Sequence, residues 1–238
     1  GGVFWSLDYK GQPLDTTKHT YNQAFAIYAL SSYYDAFHVE EALQTATDLF
    51  RLIELKCRDE YGYKEAQSRE FYNVSNDKLS ENGVMADRTM NTLLHVLEAY
   101  TELYRVTKRP ETAERLKWML DTIAAKIYNP KLHRQEVFFD NDMNTLIDLH
   151  SYGHDIEASW LIHEAALVLG DKNITAKIEP IIKQIAAAAS EGLTNNGGMI
   201  YEKHCDTGHT DNDYHWWVQA ETVVGYFNLY EHFNDEDS

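Results

Sequence analysis

The feature that most constrains the fold is an apolar helix that occurs four times along the chain. Each copy begins with a polar residue followed by an apolar run, and the four polar residues are Asn22, Asn91, Glu157 and Gln219. The intervals between them are 69, 66 and 62 residues. Such self-similarity is typical of proteins that stack one helical unit, because a single unit cannot bury its own apolar face.

A second helix and a long loop separate successive copies. Apolar residues at helical spacing predict helices near residues 18–36, 40–56, 87–106 and 214–233, and another that opens at Pro110. Two further helices are predicted by apolar stripes, one closed by Gly170 with the stripe Ile156, Trp160, His163 and Leu167, and the next with the stripe Ile174, Ile178, Ile181 and Ile185. A short, aromatic, strand-like segment precedes each copy, at residues 1–7, 61–63, 136–139 and 197–201. The unit is therefore an outer helix, a long loop with β structure, and an inner helix. Polar and aromatic residues at the inner-helix starts favour a toroid with a cavity at that end, rimmed by the loops.

Composition narrows the choice of ligand. The net charge of -17 disfavours nucleic acid, anionic membranes and strongly acidic substrates, and favours a neutral small molecule. The 16 Tyr and 5 Trp residues must be buried or must line a site. Without a linker, a signal peptide or a long apolar run, we expect one cytoplasmic domain of residues 1–238.

The most informative single segment runs from Ser151 to Leu161, Ser-Tyr-Gly-His-Asp-Ile-Glu-Ala-Ser-Trp-Leu. Gly153 gives freedom to the turn into the helix, His154 lies in the first turn, and Glu157 shares its face. A carboxylate beside an imidazole fixes its tautomer and raises its basicity, as a general base requires. On spacing alone, a capped helix start with a surface His–Glu pair is the better interpretation, because such pairs are common.

A second candidate pair, Asn91 and His95, lies at the start of the helix predicted at 87–106. The two residues are four positions apart and lie off the apolar stripe, so both can face a cavity. The competing interpretation of His95 is a core histidine with its hydrogen bonds satisfied.

A third candidate group opens the last inner helix, where Trp216 and Trp217 are followed by Glu221. Indole faces stack on the C–H faces of sugar rings, and a nearby carboxylate accepts hydroxyl protons. Core packing explains one tryptophan but explains two neighbours less easily.

The segment 204–215 is dense in residue types that ligate metals. Its spacing matches no familiar ligand set, so we expect a solvated loop and no metal. Cys57 and Cys205 form no disulfide framework, and the sequence pairs neither with a base in a recognisable motif, so thiol chemistry is not supported.

These motifs resemble the cellobiose 2-epimerases of the N-acylglucosamine 2-epimerase superfamily. The resemblance rests on residues 18–31, 90–100, 151–157 and 216–221, and it extends along the whole chain. The form Ser-Tyr-Gly-His-Asp-Ile-Glu is closer to the disaccharide epimerases than to N-acylglucosamine epimerases or mannose isomerases. The resemblance implies an all-α fold, an (α/α)6 barrel of helical hairpins with short β pieces in the long loops, here incomplete at both ends.

The resemblance also implies roles for the candidate residues. His154 would be one of two acid/base histidines acting on C2 of the opened sugar, Glu157 would support it, and His95 would contact C1 and the ring oxygen. The implied sugar-binding residues are Phe25, Asn91, Trp216, Trp217 and Glu221. The implied reaction inverts C2 of the reducing-end glucose of β-1,4-linked disaccharides through an enediolate, turning cellobiose into glucosyl-mannose and lactose into epilactose. It needs neither metal nor cofactor, and we expect a monomer.

Three alternatives stay open, and one departure from the family bears on them. The chain can be an N-acylglucosamine 2-epimerase or an aldose–ketose (mannose) isomerase on the same barrel, or a non-catalytic sugar-binding domain. The four inner helices account for two thirds of a six-hairpin barrel, and the family's second acid/base histidine has no counterpart here. We therefore expect residues 1–238 by themselves not to epimerise cellobiose.

Overall fold

The computed structural model of the protein describes residues 1–80 and 82–234, and over these residues the fold is mostly helical, as predicted. The helices of this part of the chain are α1 (Thr20–Phe37), α2 (Glu40–Leu52), α3 (Met90–Thr107), α4 (Pro110–Thr122), α5 (Tyr152–Leu169), α6 (Lys172–Ala189) and α7 (Trp216–Phe233). The last turns of α2 and α4 widen into π-helix at Ile53–Cys57 and Ile123–Ile127, and α6 tightens into a 3-10 turn at Ser190–Gly192. None of the described helices combines the length and apolar character that crossing a membrane requires.

Short antiparallel strands occupy the loops between the helices. They are β1 (Ser6–Leu7), β2 (Pro13–Asp15), β3 (Lys18–His19), β4 (Ala66–Gln67), β5 (Arg88–Thr89), β6 (Tyr128–Asn129), β7 (Arg134–Gln135), β8 (Phe138–Phe139), β9 (Leu149–Ser151), β10 (Glu202–His204) and β11 (Thr210–Asp211). The pairs are β1–β2, β3–β4, β5–β8 and β6–β7, and β9, β10 and β11 form a three-stranded sheet.

Only two of the four strand-like segments predicted from the sequence contain a β-strand. Segments 1–7 and 136–139 contain β1 and β8, whereas 61–63 and 197–201 carry isolated bridges at Tyr63 and Met199. Tyr63 is buried and donates its hydroxyl to Glu54. Its aromatic character therefore serves packing and does not indicate an extended strand.

The four predicted inner helices are α1, α3, α5 and α7, called the repeat helices below. Each has 18 residues, and in each the next residue adopts a left-handed conformation and donates its backbone N–H to the carbonyl four residues earlier. These end residues are His38, Lys108, Gly170 and Asn234. A left-handed residue at this place satisfies a carbonyl group that the helix end would otherwise leave unpaired.

The register of the predicted repeat was wrong, although its existence is confirmed. The residues aligned from the sequence take different positions within their helices: Asn22 is the third, Asn91 the second, Glu157 the sixth and Gln219 the fourth. The apolar runs are long enough to align in several registers, so they do not mark where a helix begins.

Gly1–Leu116 and Phe138–Leu146 form one compact unit, in which α1 packs against both α2 and α3. The predicted stripe on α3 forms part of its core, since Met90, Leu94 and Leu97 are almost fully buried.

Lys117–Val137 and Ile147–Ser238 form a second unit, in which α5 packs against α6 and α7. The one-sided stripe predicted for α5 was wrong in part. Ile156 is fully buried but Leu167 is 44% exposed. A helix with neighbours on two sides is apolar over most of its surface, so its sequence shows little one-sided periodicity.

The start of α3 is held by the buried carboxylate of Glu65. One oxygen accepts the backbone N–H of Thr89 at 2.7 Å, and the other accepts the hydroxyl of Thr92 at 2.7 Å. Burial raises the pKa of Glu65 to about 7 from the ordinary 4.5, although these hydrogen bonds act in the opposite direction. Glu65 thus joins the loop before α3 to the helix that carries Asn91 and His95.

Because the pKa of Glu65 is higher in the folded chain, the folded state binds this proton more tightly than the unfolded state. The free energy of unfolding should therefore fall as pH rises from 4.5 to about 7. Glu65→Gln keeps an acceptor for Thr89 and adds a donor for the Thr92 hydroxyl, so we predict a gain of about 1–3 kcal/mol above this window. Urea unfolding at a pH below and a pH above the window measures the effect. The same pH dependence in both proteins would exclude Glu65 as its source.

Gly170 offers a clean test of the helix ends. Its φ is +75°, and a Cβ added there would meet nothing within 4 Å, so Gly170→Ala introduces backbone strain alone. We predict a loss of about 1 kcal/mol in the free energy of unfolding, and a gain for the reciprocal change His38→Gly. Chemical denaturation of both variants provides the measurement. Changes of the same sign would contradict the explanation.

Candidate active site

The first cluster of predicted site residues lies where β9 leads into α5. Ser151 ends β9 and lies opposite Glu202 of β10, while His150 lies opposite Lys203. The strand β10 turns into β11, so the segment 204–215, predicted as a solvated loop, is partly a β-hairpin. The hairpin is half-exposed, which explains its hydrophilic composition. That composition led to the prediction of a loop. The hairpin fixes the backbone from which α5 begins.

His154 is held at one edge and at one face of its ring. Its Nδ1 lies 2.8 Å from Oγ of Ser151. The ring packs against Trp217 of α7, with centroids 4.8 Å apart and planes inclined by 50°. Glu157 follows one turn later on α5 and is buried. The pairing of Glu157 with His154 stays a prediction.

Gly153 is required for a reason other than the predicted freedom of the turn. It lies inside α5, and a Cβ there would come within 2.6 Å of Val218 and 2.9 Å of the Trp217 ring. These are distances at which side chains clash, so the close approach of α7 needs a glycine here. This approach places the Trp217 ring on His154.

The backbone of His154 is also held. The carboxylate of Asp155 accepts both the backbone N–H and the side-chain amide of Gln135, at 3.1 and 3.2 Å. The same amide donates to the carbonyl oxygen of His154 at 3.1 Å, and the second Asp155 oxygen lies 3.1 Å from Nε2 of His150. The first turn of α5 is therefore fixed to β7 and β9.

The two neighbouring tryptophans of α7 lie in different environments. Trp217 contacts His154, whereas Trp216 is 83% exposed. One turn later, Glu221 accepts the indole N–H of Trp160 at 2.7 Å. Trp160 was missed as a site residue because the sequence analysis assigned it to the apolar stripe of α5; its signal was its place three residues after Glu157.

The second cluster lies on α1 and α3, in the first unit. His95 is buried, and its Nδ1 lies 2.9 Å from a carboxylate oxygen of Glu98. The rings of Phe25 and Tyr21 pack against the imidazole, with centroids at 4.8 and 5.0 Å. Sequence reasoning did not single out Glu98, although the spacing of three residues after a histidine was the available signal.

Asn91 lies one turn before His95 on α3 and is half-buried. Its Oδ1 is shielded from solvent and has no hydrogen-bond partner within the described residues 1–80 and 82–234. A shielded amide oxygen is a ready acceptor for the hydroxyl of a polar ligand, because burying it without a partner costs free energy.

One group in the described part of the chain has the geometry of a cation site. Asp211, Asp213 and His215 bring one potential ligand atom each to within 4.8 Å of one another. All three are exposed or half-exposed, and the His215 ring packs against Tyr201 at 4.2 Å. Exposed acidic groups cluster in this way without an ion, so the group is not assigned a metal.

Each of the two units therefore contains a helical hairpin with a histidine near a helix start, set among aromatic rings and carboxylates. The model of the N-acylglucosamine 2-epimerase (GlcNAc 2-epimerase) family matches residues 1–237, and the chain belongs to this family. The resemblance found in the motifs is thereby confirmed.

The relatives agree in sequence and in structure. The chain is 53% identical over 237 residues to a cellobiose 2-epimerase of Bacteroides fragilis, covering 99% of this chain and 60% of that protein. The solved cellobiose 2-epimerase from Bacillus thermoamylovorans B4167 superimposes with a TM-score of 0.93 at 44% identity, covering 99% of this chain and 60% of that one. A sugar epimerase from a ruminal bacterium gives a TM-score of 0.96 at 46% identity, covering 100% and 60%. The chain thus spans about 60% of the length of these relatives.

The unequal environments of Trp216 and Trp217 predict unequal mutants. Trp217→Ala removes a ring packed between α5 and α7 and should cost about 2 kcal/mol or more of stability. Trp216→Ala removes an exposed ring and should change stability by no more than about 0.5 kcal/mol. Thermal unfolding of the two variants provides the comparison, and equal losses would show that the packing of Trp217 is misassigned.

Proposed function

We propose that the protein epimerises C2 of the reducing-end glucose of β-1,4-linked disaccharides, converting cellobiose to glucosyl-mannose and lactose to epilactose. The observation that carries the proposal is the fixed imidazole of His154 at the start of α5, within the motif Ser-Tyr-Gly-His-Asp-Ile-Glu. The cellobiose 2-epimerases at 44–53% identity add support. The proposal includes residues 1–238 as part of one helical catalytic domain that acts on a neutral disaccharide as a monomer, without metal or cofactor.

The chemistry starts from the open-chain sugar. The C1 carbonyl makes the C2 hydrogen acidic, and His154 takes that proton while the C2–H electron pair forms the C1–C2 double bond of an enediolate. The charge on O1 and O2 needs hydrogen-bond donors. Inversion follows when a second acid returns a proton to the opposite face of C2. Two imidazoles suit this exchange, because their ordinary pKa of about 6.5 lies close to neutral pH.

The other candidate residues receive supporting roles in the proposal. His95, oriented by Glu98 and enclosed by Phe25, contacts the sugar near C1 and the ring oxygen and assists ring opening. Asn91 offers its shielded amide oxygen to a sugar hydroxyl.

On α5, Glu157 supports His154. The proposed sugar-binding group lies on α7 and consists of Trp216, Trp217 and Glu221. The exposed indole face of Trp216 is suited to stacking on a pyranose ring. Glu221 accepts the indole N–H of Trp160, which fixes a carboxylate for sugar hydroxyls.

Deuterium exchange at C2 tests the proposal directly. We predict that incubation with cellobiose in heavy water places deuterium at C2, and that His154→Asn slows this exchange by about 100-fold or more. NMR of the sugar follows C2, and circular dichroism checks the fold of the variant. His133→Asn is a matched control, because His133 is exposed on the turn between β6 and β7.

The products separate the alternatives. Deuterium at C2 without inversion supports an epimerase in which His154 serves one face. Glucosyl-mannose also supports an epimerase, and it would show that the expectation that residues 1–238 alone do not epimerise cellobiose is wrong. Glucosyl-fructose identifies an aldose–ketose isomerase, since the proton then returns to C1. Exchange with N-acetylmannosamine alone identifies an N-acylglucosamine 2-epimerase. Sugar binding without any exchange identifies a binding domain and overturns the proposal.

A further inference from the structure

Ser151 holds the N-cap position of α5 without capping the helix. A serine there ordinarily accepts a backbone N–H of the first turn. Thr89, at the same position of α3, does so and accepts the N–H of Thr92 at 3.0 Å. Ser151 makes no such bond. Its side chain is buried, and its Oγ lies 2.8 Å from Nδ1 of His154.

Both partners of this contact are held by rigid structure. The backbone of Ser151 lies in the three-stranded sheet, paired with Glu202. The His154 carbonyl is bound by Gln135, and its ring packs against Trp217. A functional side chain needs such support, because a small displacement removes a productive geometry.

We propose that Ser151 is a positioning residue that keeps the ring proton of His154 on Nδ1, so that Nε2 exchanges protons with the sugar. This assignment rests on the proposed function. In the forward step the C2–H bond breaks, its electron pair enters the enediolate, and the proton goes to Nε2. The hydrogen bond from Nδ1–H to Oγ persists in both the neutral and the protonated ring, because a hydroxyl oxygen accepts in either case.

A hydroxyl suits this role because it is neutral. A neutral acceptor on Nδ1 fixes the tautomer and still lets the charge of the ring change as the ring takes and returns a proton. Ser151 then fixes the tautomer, and the support of His154 by Glu157 stays part of the proposed function.

The first measurement needs no substrate. In chain labelled with 15N-histidine, the His154 signals are identified by their loss in His154→Asn, and long-range 1H–15N couplings report which nitrogen carries the proton. We expect the Nδ1–H tautomer in the wild type and a mixture in Ser151→Ala. A wild-type ring protonated on Nε2 overturns the proposal, whatever the outcome of any sugar assay.

The second measurement is the rate of C2 deuterium exchange with cellobiose. We expect Ser151→Ala to lower it about tenfold and Ser151→Thr, which keeps the hydroxyl, to restore it to within about threefold. Ser159→Ala is the matched control on α5, because the Ser159 hydroxyl bonds the Ile156 carbonyl; it should change neither rate nor tautomer. An unchanged rate and tautomer in Ser151→Ala contradict the proposal. Absence of exchange in the wild type counts against the proposed function alone, since the tautomer still decides the role of Ser151.

Discussion

The molecule depends on a hydrogen-bonded clamp between the fourth residue of a repeat helix and the loop before that helix. In α1 the amide of Gln23 accepts the N–H of Val3 at 2.7 Å and donates to its carbonyl at 2.8 Å. In α7 Gln219 does the same with Met199, at 3.0 and 2.8 Å. Each amide satisfies both backbone groups of a residue in an irregular segment, which buried loops otherwise leave unpaired. The loop and the first turn of the helix are thereby joined into one element.

The two helices that carry the candidate histidines depart from this neutral clamp, and both replace it with a buried carboxylate. In α5 the fourth residue is Asp155, whose carboxylate accepts the backbone N–H of Gln135. The side-chain amide of Gln135 donates to the same carboxylate and to the carbonyl oxygen of His154. In α3 the carboxylate comes from the loop, where Glu65 bonds the first turn of the helix that bears His95. A negative group at a helix start is favoured by the exposed N–H groups there. Each of these two carboxyl groups thus fixes the start of a helix that carries a candidate histidine.

The fold and much of the candidate site could be predicted because they depend on patterns within single helices. Apolar spacing gave the helices, and the motif at residues 151–157 led to His154 without reference to distant residues. The clamps could not be predicted, since the pairing of Gln219 with Met199 depends on how a loop folds back over 20 residues. Glu98 and Trp160 were missed for a related reason. A glutamate fits a solvated helix face as well as it fits a site, and a tryptophan fits a core stripe as well as it fits a site. Only the neighbouring side chains distinguish these roles.

The clamp also explains why the N-cap positions of the repeat helices differ. In α3 the fourth residue is Leu93, which cannot form a clamp, and this is the repeat helix in which the N-cap side chain, that of Thr89, binds a backbone N–H. The N-cap residues of the other three, His19, Ser151 and His215, make no such bond. Their helix starts are already fixed from the fourth residue, so these side chains are available for other contacts. The two histidines pack against aromatic rings, and burial lowers the pKa of His19 to about 4, which keeps it neutral. Among the three, only Ser151 contacts a ring in the first turn of its own helix, that of His154. Its hydroxyl is available for this contact because Asp155 already fixes the start of α5.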